Sequence, residues 1–462
     1  MNIKERISRL FSLPPRGEVG RGAFHSFALI RADKLFSTIY IAGTAVAIAS
    51  AMVIAIVLNM LLADIPPESN RSRTLYLFGS FFTESVTAKG ESPHIGLSSL
   101  ALDSCFRQMN CVEAAMGDGS NTYYRFPASD ERYSRHASVY AMPTDYDFFR
   151  IYDLDFLSGR PFSEKEFRDG ERVVVISDKV RERLNLEGGS SILIDNLPFR
   201  VVGIVKPVSA LMRYAAADVF LPYTIEELHF RPDREDPGID GPYSGNMEVR
   251  ILLRKGFSRQ DFLDELEPLR LNYNAVCSAA AGEKVEMVFI VRSHFYGTIN
   301  FFPTEVGDES TSAMALNLML PTFLMLMFLL LPALNLSGLV TNRMEARRAE
   351  MGIRKAFGAK RRTLLREVIS ENLVLTLCGG LVGWVLSWLF ILAIRRHPLF
   401  LSMFVQNGQT SLDTSLDFRM FVTPTLFLIV FLCCAVLNLM VALIPAWASL
   451  RKPIVESLNQ KR

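Results

Sequence analysis

Four stretches of this chain carry no charged residue over more than 20 positions: Leu35–Ala63 (29 residues), Ser310–Asn342 (33), Asn372–Ile394 (23) and Met420–Leu450 (31). Crossing the hydrocarbon core of a bilayer takes about 20 residues of α-helix, so each run is long enough to span it. That pattern excludes a purely soluble enzyme, a nucleic-acid-binding protein and a disordered chain. Between the first two runs lie about 250 residues of ordinary globular composition, enough to bury a core of their own. The first run is about twice the length of a signal-peptide apolar region. No small-residue cleavage site follows before Asp64 and Pro66-Pro67, so an uncleaved anchor is expected.

Charge orients the spans. Residues 1–63 carry 7 Lys+Arg against 3 Asp+Glu, residues 341–371 carry 9 against 4, and residues 451–462 carry 4 against 1. Residues 64–312 carry 27 against 38, a net −11. Basic residues beside short loops stay on the cytoplasmic side, so both termini and the middle loop belong inside and the acidic domain outside. The expected fold class is a membrane protein with four transmembrane α-helices and a large α+β extracytoplasmic domain inserted between helices 1 and 2. The parse is a cytoplasmic segment 1–34, helix 35–63, outside domain 64–311, helix 312–342, cytoplasmic loop 343–371, helix 372–394, outside loop 395–419, helix 420–450 and tail 451–462. With a Gram-negative cell assumed, the location is the inner membrane and the large domain is periplasmic.

Within residues 2–13, Ile3, Ile7, Leu10 and Phe11 recur at helical spacing beside Lys4, Arg6 and Arg9, which fits an amphipathic helix on the membrane surface or a solvated tail. Gly43, Ala47, Ala51 and Ala55 form a small-residue stripe on the first helix, and Gly379 and Gly383 form a GxxxG pair on the third. Both permit close helix approach, to the same chain or to a second copy. In the outside domain, Arg172–Ile176 reads as a buried strand and Lys179–Leu184 as a helix. Ser191–Ile194 and Phe199–Val205 read as a hairpin, and Val219–Leu221, Val249–Leu253 and Met287–Val291 as further strands. Ser258 and Asp261 open a helix over Arg259–Leu269 with a capping box. The region around 206–245, apart from the Val219–Leu221 strand, is loop-rich and gives no clear pattern. A disulfide between Cys105 and Cys111 is compatible with an oxidising compartment but not demanded by spacing, and Cys277 would be left over.

Several chemistries lack their motifs. There is no G-x-x-x-x-G-K-[ST], so the chain is not expected to bind and hydrolyse ATP itself, and no H-E-x-x-H, G-x-S-x-G or kinase signature occurs. His25, His94, His136, His229, His294 and His397 are scattered without ligand spacing, so no metal is expected. The carboxylates of 64–312 read as a solvated acidic surface. No charge lies inside the spans, which argues against an ion-coupled transporter.

The most specific segment is Arg343-Met344-Glu345-Ala346-Arg347-Arg348-Ala349-Glu350-Met351-Gly352-Ile353-Arg354-Lys355-Ala356-Phe357-Gly358-Ala359-Lys360-Arg361-Arg362. Ala346, Ala349, Ile353 and Ala356-Phe357 make one apolar stripe of a short helix, with Arg347, Glu350, Arg354 and Lys355 around it. Gly358 suits a left-handed cap, and Arg354-Lys355 the negative end of the helix dipole. A basic anchor on acidic lipid is one reading of this loop. A lipid anchor needs charge but does not need this order of apolar and acidic residues.

The order resembles the FtsX-like and MacB-like permeases of ABC systems, whose loop runs approximately E-R-x-x-E-I-G-I-R-K-A-L-G-A. Arg348, Glu350, Gly352, Ile353, Arg354, Lys355, Ala356, Gly358 and Ala359 match, and Met351 and Phe357 are apolar exchanges. Glu371 and Gly379-Gly380 continue the likeness, as do Leu443–Ala446 with Arg451, Pro453, Ile454 and Leu458. Gly159–Phe162, Glu166, Val173–Ser177 and Phe199–Val205 are similar to the MacB-type periplasmic core. The resemblance implies a stand-alone permease subunit that couples ATP hydrolysis by a separate ATPase to movement of the periplasmic domain. ATP, the only cofactor implied, would be bound by the ATPase, which would grip the helix around Glu345–Phe357, Arg348 and Gly358 included. A second permease chain is implied too, and possible outputs include efflux through a periplasmic adaptor and an outer-membrane channel, lipoprotein release or control of a cell-wall hydrolase. A membrane sensor with a ligand-binding outer domain is the rival reading. It should carry a cytoplasmic effector domain, and the longest inside segment is about 35 residues.

Overall fold

The computed structural model describes residues 34–83, 94–119, 124–186, 191–227 apart from 211 and 213, 245, 247–298, 311–394, 397 and 424–451. The amphipathic stretch 2–13, the segment 398–419 and the tail 452–462 lie outside the described residues. In chain order the elements are α1 (Lys34–Leu62), β1 (Thr74–Thr83), β2 (His94–Ile95), α2 (Ser99–Ser104), β3 (Val112–Gly119), β4 (Tyr124–Asp130), β5 (Arg135–Thr144), α3 (Phe148–Ile151), β6 (Phe156–Gly159) and α4 (Glu164–Arg168). They continue as β7 (Val173–Ser177), α5 (Asp178–Leu184), β8 (Ser191–Ile194), β9 (Leu197–Val205), β10 (Val219–Pro222), β11 (Met247–Leu253), α6 (Arg259–Ala281), β12 (Val285–Ser293) and α7 (His294–Thr298). The last helices are α8 (Thr311–Ala346), α9 (Arg348–Ala356), α10 (Arg361–Ile394) and α11 (Pro424–Arg451).

Among the described residues, three helices have a segment long and apolar enough to cross a membrane: Lys34–Leu62, Arg361–Ile394 and Pro424–Leu443. Helix α8 carries a shorter apolar stretch, Ala315–Leu330. The charge-free runs mark membrane-sized segments and not helix ends. Helix α10 begins at Arg361, well before the run that starts at Asn372, and takes Glu367 and Glu371 into regular helix. The chain divides into two compact units, one holding Leu58–Leu318, the other holding the described residues up to Val57, from Met319 to Ile394 and beyond Val422.

The Leu58–Leu318 unit is α+β and has two sheets. One runs β12-β1-β11-β3 with β2 beside β1; the other runs β6-β9-β7-β10-β5-β4-β8, and a further β8–β9 pairing closes most of it into a ring. Strand β7 is buried at all five positions, because it lies between parallel β9 and antiparallel β10 inside that ring. A run of branched residues with no polar alternation is what such a position selects. Val174 and Ile176 join Val139, Ala141, Ile192, Ile194, Phe199, Val219 and Leu221 in its core. The β8–β9 turn is tighter than the sequence suggests. Asp195 and Asn196 take φ of 51° and 63°, the two left-handed residues of a type I′ turn, so β9 starts at Leu197. Helix α6 likewise outruns its expected end at Leu269. Phe262, Leu266, Tyr273 and Cys277 are all buried, and this continuous stripe holds the helix through Pro268 to Ala281.

The residues shared with the periplasmic core domains have structural work. Gly159 takes φ +74°, and a Cβ there would collide with the Val202 carbonyl oxygen. Arg160 then grips Glu166 through both nitrogens at 2.7 and 2.8 Å, and Glu166 closes the Ser163 capping box of α4. Arg160 holds the Glu166 carboxyl down at about 2, against the opposing effect of its burial and with help from Ser163.

One question left open by the sequence is answered, and one expectation is corrected. The cysteines are free, Cys105 and Cys111 among them, so no disulfide joins that pair. Both are buried, and burial raises the Cys105 thiol to about 11, which leaves it unreactive. Nor are the outer carboxylates all solvated: Glu68, Asp118, Asp145, Asp147 and Glu166 are buried. Arg107 Nη2 lies 2.7 Å from Asp145, and Arg250 Nη1 lies 2.5 Å from Asp118. Partners drawn from distant strands satisfy charges that sequence spacing does not pair.

Candidate functional site

The loop singled out by its motif follows α8. The helical ladder carries on across the α8–α9 junction through Arg347 N–H to Arg343 O (3.1 Å) and Met351 N–H to Arg347 O (3.0 Å). Helix α9 is shorter than the Glu345–Phe357 helix expected: Glu345 and Ala346 belong to the end of α8, and Phe357 lies past the last turn. Gly358 stops it with φ +90°, the left-handed cap that its position implies, and Ala359 N–H returns to Arg354 O at 2.9 Å.

What faces inward departs from the single-stripe reading. Met351 packs with Phe36, Tyr40, Val340, Met344, Leu365, Val368 and Leu375, a cluster drawing on α1, α8, α9 and α10, with Ala442 from α11. Gly352 is buried on this same side. On the other side Ile353 is 49% exposed and Phe357 88% exposed, with Ala356 open beside them. The side chains of Arg348, Ala349 and Lys355 lie outside the described set. Ile353, Ala356 and Phe357 therefore point away from the rest of the chain.

Glu350 and Arg354 of α9 are held by the chain itself. Arg354 bonds Glu350 at 2.6 Å one turn back, and Glu367 on α10 through both carboxylate oxygens at 3.0 and 3.1 Å. The Glu367 carboxylate raises the Arg354 pKa further, ahead of the effects of burial and Glu350, so its charge is permanent. One helical turn on, Glu371 is 4% exposed and sits between Arg343 and Arg347, the latter at 3.1 Å. Arg343 also lies over the Phe36 ring, 4.2 Å from its centroid. Arg347, Glu350, Met351, Arg354, Glu367 and Glu371 line a small cleft open to solvent. Three acids and three arginines thus fasten α8 and α9 to the start of α10. Sequence reasoning missed Glu367, and the i,i+4 spacing Glu367–Glu371 on the helix that follows was the available signal.

The glycines of α10 approach α1, at Ile41, Thr44, Ala45 and Ile48. A Cβ at Gly379 would lie 2.8 Å from Thr44 Cβ, and one at Gly383 would lie 2.7 Å from the Ala45 carbonyl oxygen. Gly380 faces Phe431 of α11. Ala47 and Ala51 are buried and Gly43 is half-buried, but the glycines of α10 seat against Thr44, Ala45 and Ile48 and not against that stripe. Among the described residues, no three His, Cys, Asp or Glu side chains converge to hold a metal ion.

Residues 37–269 match the family model of the MacB-like periplasmic core domain, and residues 322–454 match that of the FtsX-like permease C-terminal region. The macrolide export ATP-binding/permease protein MacB of Shewanella sp. is 23% identical over 325 residues, covering 68% of this chain and 42% of that protein. The ABC transporter permease YknZ of Bacillus subtilis is 24% identical over 245 residues, covering 51% of this chain and 53% of that one. The pyoverdine export ATP-binding/permease protein PvdT of Pseudomonas fluorescens is 23% identical over 337 residues, covering 68% and 45%. The chain thus spans about half the length of these curated relatives. The crystal structure of the periplasmic region of MacB from Actinobacillus actinomycetemcomitans overlays with a TM-score of 0.34 at 14% identity, covering 50% of this chain and 95% of that one. Two matches, over residues 37–269 and 322–454, that between them cover most of the sequence make this chain a member of the ABC transporter permease family with a MacB-like periplasmic core and an FtsX-like C-terminal region.

Proposed function

We propose that the chain is the membrane subunit of an ABC-type exporter that uses ATP hydrolysis by a separate ATPase to move its outer domain. The observation that carries this reading is the orientation of α9. Its Arg354 is engaged by Glu367 of α10, and its apolar residues Ile353, Ala356 and Phe357 are left open. A nine-residue helix presenting its apolar side is suited to a protein cleft. In this reading the ATPase holds α9, nucleotide-driven closure shifts α10 with it, and the four spans pass the movement to a periplasmic domain. Substrate is acted on outside the inner membrane and is not carried through the bilayer. Two permease chains form the working unit, since four spans make only half of a two-sided ABC assembly. A periplasmic adaptor and an outer-membrane channel complete the route if the output is efflux.

The test is co-purification of the ATPase with Phe357→Asp and Ile353→Asp. Both positions are exposed, so insertion and expression should match wild type, while ATPase capture and stimulation of its turnover should be lost. Gly352 is a poorer probe because it is buried within the chain. Normal capture by both variants, with reduced binding to vesicles of anionic lipid, would make α9 a lipid anchor and overturn the reading.

A further inference from the structure

The carbonyls that end a helix have no partner within it. At the C-terminal end of α1, three of them are taken by two buried side chains. Arg71 Nη1 donates to Met60 O at 2.7 Å and to Ala63 O at 2.8 Å. His294 Nε2 donates to Leu61 O at 2.8 Å, which leaves Nδ1 to accept from the Tyr76 hydroxyl at 2.9 Å. Arg71 precedes β1 and His294 follows β12, and these strands pair with Leu75 opposite Ser293. The first and last strands of the outer domain are therefore pinned to one helix end.

The same cluster reaches the second sheet. Arg71 Nε binds Glu68 Oε2 at 2.8 Å, and Glu68 Oε1 accepts the backbone N–H groups of Tyr214 (2.8 Å) and Ala215 (3.2 Å). Tyr214 and Ala215 lie in the connection from β9 to β10, which are strands of the closed sheet. Glu68 and Arg71 are 1% and 4% exposed. Burial works against the Glu68 charge, but Arg71 and the Tyr214 N–H outweigh it and hold the carboxyl below its usual range. Burial, aided by Arg71, lowers His294 in turn and keeps it neutral. All these atoms belong to the Leu58–Leu318 unit.

We propose that Arg71, Glu68 and His294 form a positioning latch that ties the C-terminal end of α1 to both sheets, so that a displacement of that helix end moves the domain and is not absorbed in residues 63–70. The latch rests on the reading of the chain as an ATPase-driven permease, and its test separates the two. In the full-length chain in lipid nanodiscs, Arg71→Gln should speed amide hydrogen exchange at Tyr214 and Ala215 at least about tenfold, since a charge-assisted bond to Glu68 loses its counter-ion. The double variant Glu68→Gln/Arg71→Gln, which leaves no unpaired charge, guards against misfolding and should show the same acceleration. Unchanged exchange in both overturns the latch whatever the ATPase does.

With the ATPase bound, nucleotide should alter exchange in β1, β12 and residues 214–215 of the wild type. His294→Leu should keep stimulated ATP turnover, because α9 is untouched, yet lose that outer response. His294→Gln retains an N–H donor for Leu61 O and should restore it. A merely structural role would depress turnover in both variants without rescue. A full outer response in His294→Leu overturns the latch. An ATPase that never binds wild type refutes the permease reading, and the exchange at Tyr214 and Ala215 then decides the latch.

Discussion

Glu371 provides the sharpest test of how α9 is mounted. Its carboxylate is 4% exposed and lies between the guanidinium groups of Arg343 and Arg347, which are 10% and 27% exposed at their side chains. Glu371→Ala removes the anion and leaves two cations facing each other beside a bilayer. Breaking a buried pair in this way costs about 3–5 kcal/mol, mostly through the charges left behind. Two features pull the value toward the low end. Arg343 keeps the Phe36 ring, an interaction of about 0.5–2 kcal/mol, and the more open Arg347 rehydrates in part. A loss of about 3 kcal/mol follows, or roughly two orders of magnitude in the folded-to-unfolded ratio. The assay is unfolding by SDS titration in mixed micelles, read by tryptophan fluorescence, since Trp384 and Trp388 lie on α10 itself. If the cost arises from stranded charge, then Arg343→Met/Arg347→Met/Glu371→Leu should recover most of it. A triple variant no more stable than Glu371→Ala, or a single variant within about 0.5 kcal/mol of wild type, would show that the cluster does not carry this part of the fold.

Three further outcomes are expected. Gly383→Ala puts a methyl 2.7 Å from the Ala45 carbonyl oxygen and 3.1 Å from Ile48 Cβ, so it should cost about 1–3 kcal/mol in the same titration; wild-type stability would mean that α1 is not seated there. Glu166 is held at about 2 in the folded domain by Arg160, below its ordinary 4.5, so its stabilisation is complete above pH about 4.5 and disappears as the pH falls toward 2. Because Arg160 and Arg200 are half exposed, Glu166→Gln should cost only about 1–3 kcal/mol at neutral pH, and it should flatten the acid limb of the stability curve in that window; an unchanged limb refutes the assignment. Alkaline phosphatase fused after Arg200 should be active in the periplasm and fusions after Lys360 or Arg462 inactive, and an active Lys360 fusion would overturn the four-span topology.

Parts of the fold legible in the sequence share one property, a local signal agreeing with the tertiary environment. Strand β7 reads as buried because it is buried on both faces, and the α6 start reads correctly because Ser258 and Asp261 satisfy each other within four residues. The strands between Thr74 and Thr144 were not read. Strand β3 is rich in Ala and Gly, and β4 contains Pro127 and two charges, so neither has strong intrinsic preference. Their neighbours β11 and β5 supply the pairing. His294 shows the same limit at a site: nothing near it in sequence marks it, since its partners Leu61 and Tyr76 are more than 200 residues away. For the site, the motif located α9 but not its orientation. An apolar stripe on a helix normally faces the core, and here that expectation is reversed because Glu367 and Glu371 provide a charged seat for the other side.

That reversal bears on what the ion pairs are for. A helix of nine residues has little stability of its own in water, and an i,i+4 pair such as Glu350–Arg354 adds only about 0.3–0.5 kcal/mol. Were α9 attached by its apolar stripe, Ile353 and Phe357 would be covered and nothing would remain for a partner to grip. Attachment through Arg354–Glu367 and the Met351 contact separates the two tasks, one side fixed to α10 and the other open. The joint is also directional, because Nη1 of the planar guanidinium reaches Glu367 while Nη2 is held by Glu350, so the group resists rotation as well as separation. Force applied at Phe357 is therefore delivered to the first turns of α10, which carries the same helix on to Gly379 and Gly383 against α1. Lysine at position 354 would keep the charge but make a single flexible contact. On this argument Arg354→Lys retains ATPase binding, since the open side is unchanged, and loses much of the stimulation of turnover; equal stimulation would show that the rigidity of this joint is not used.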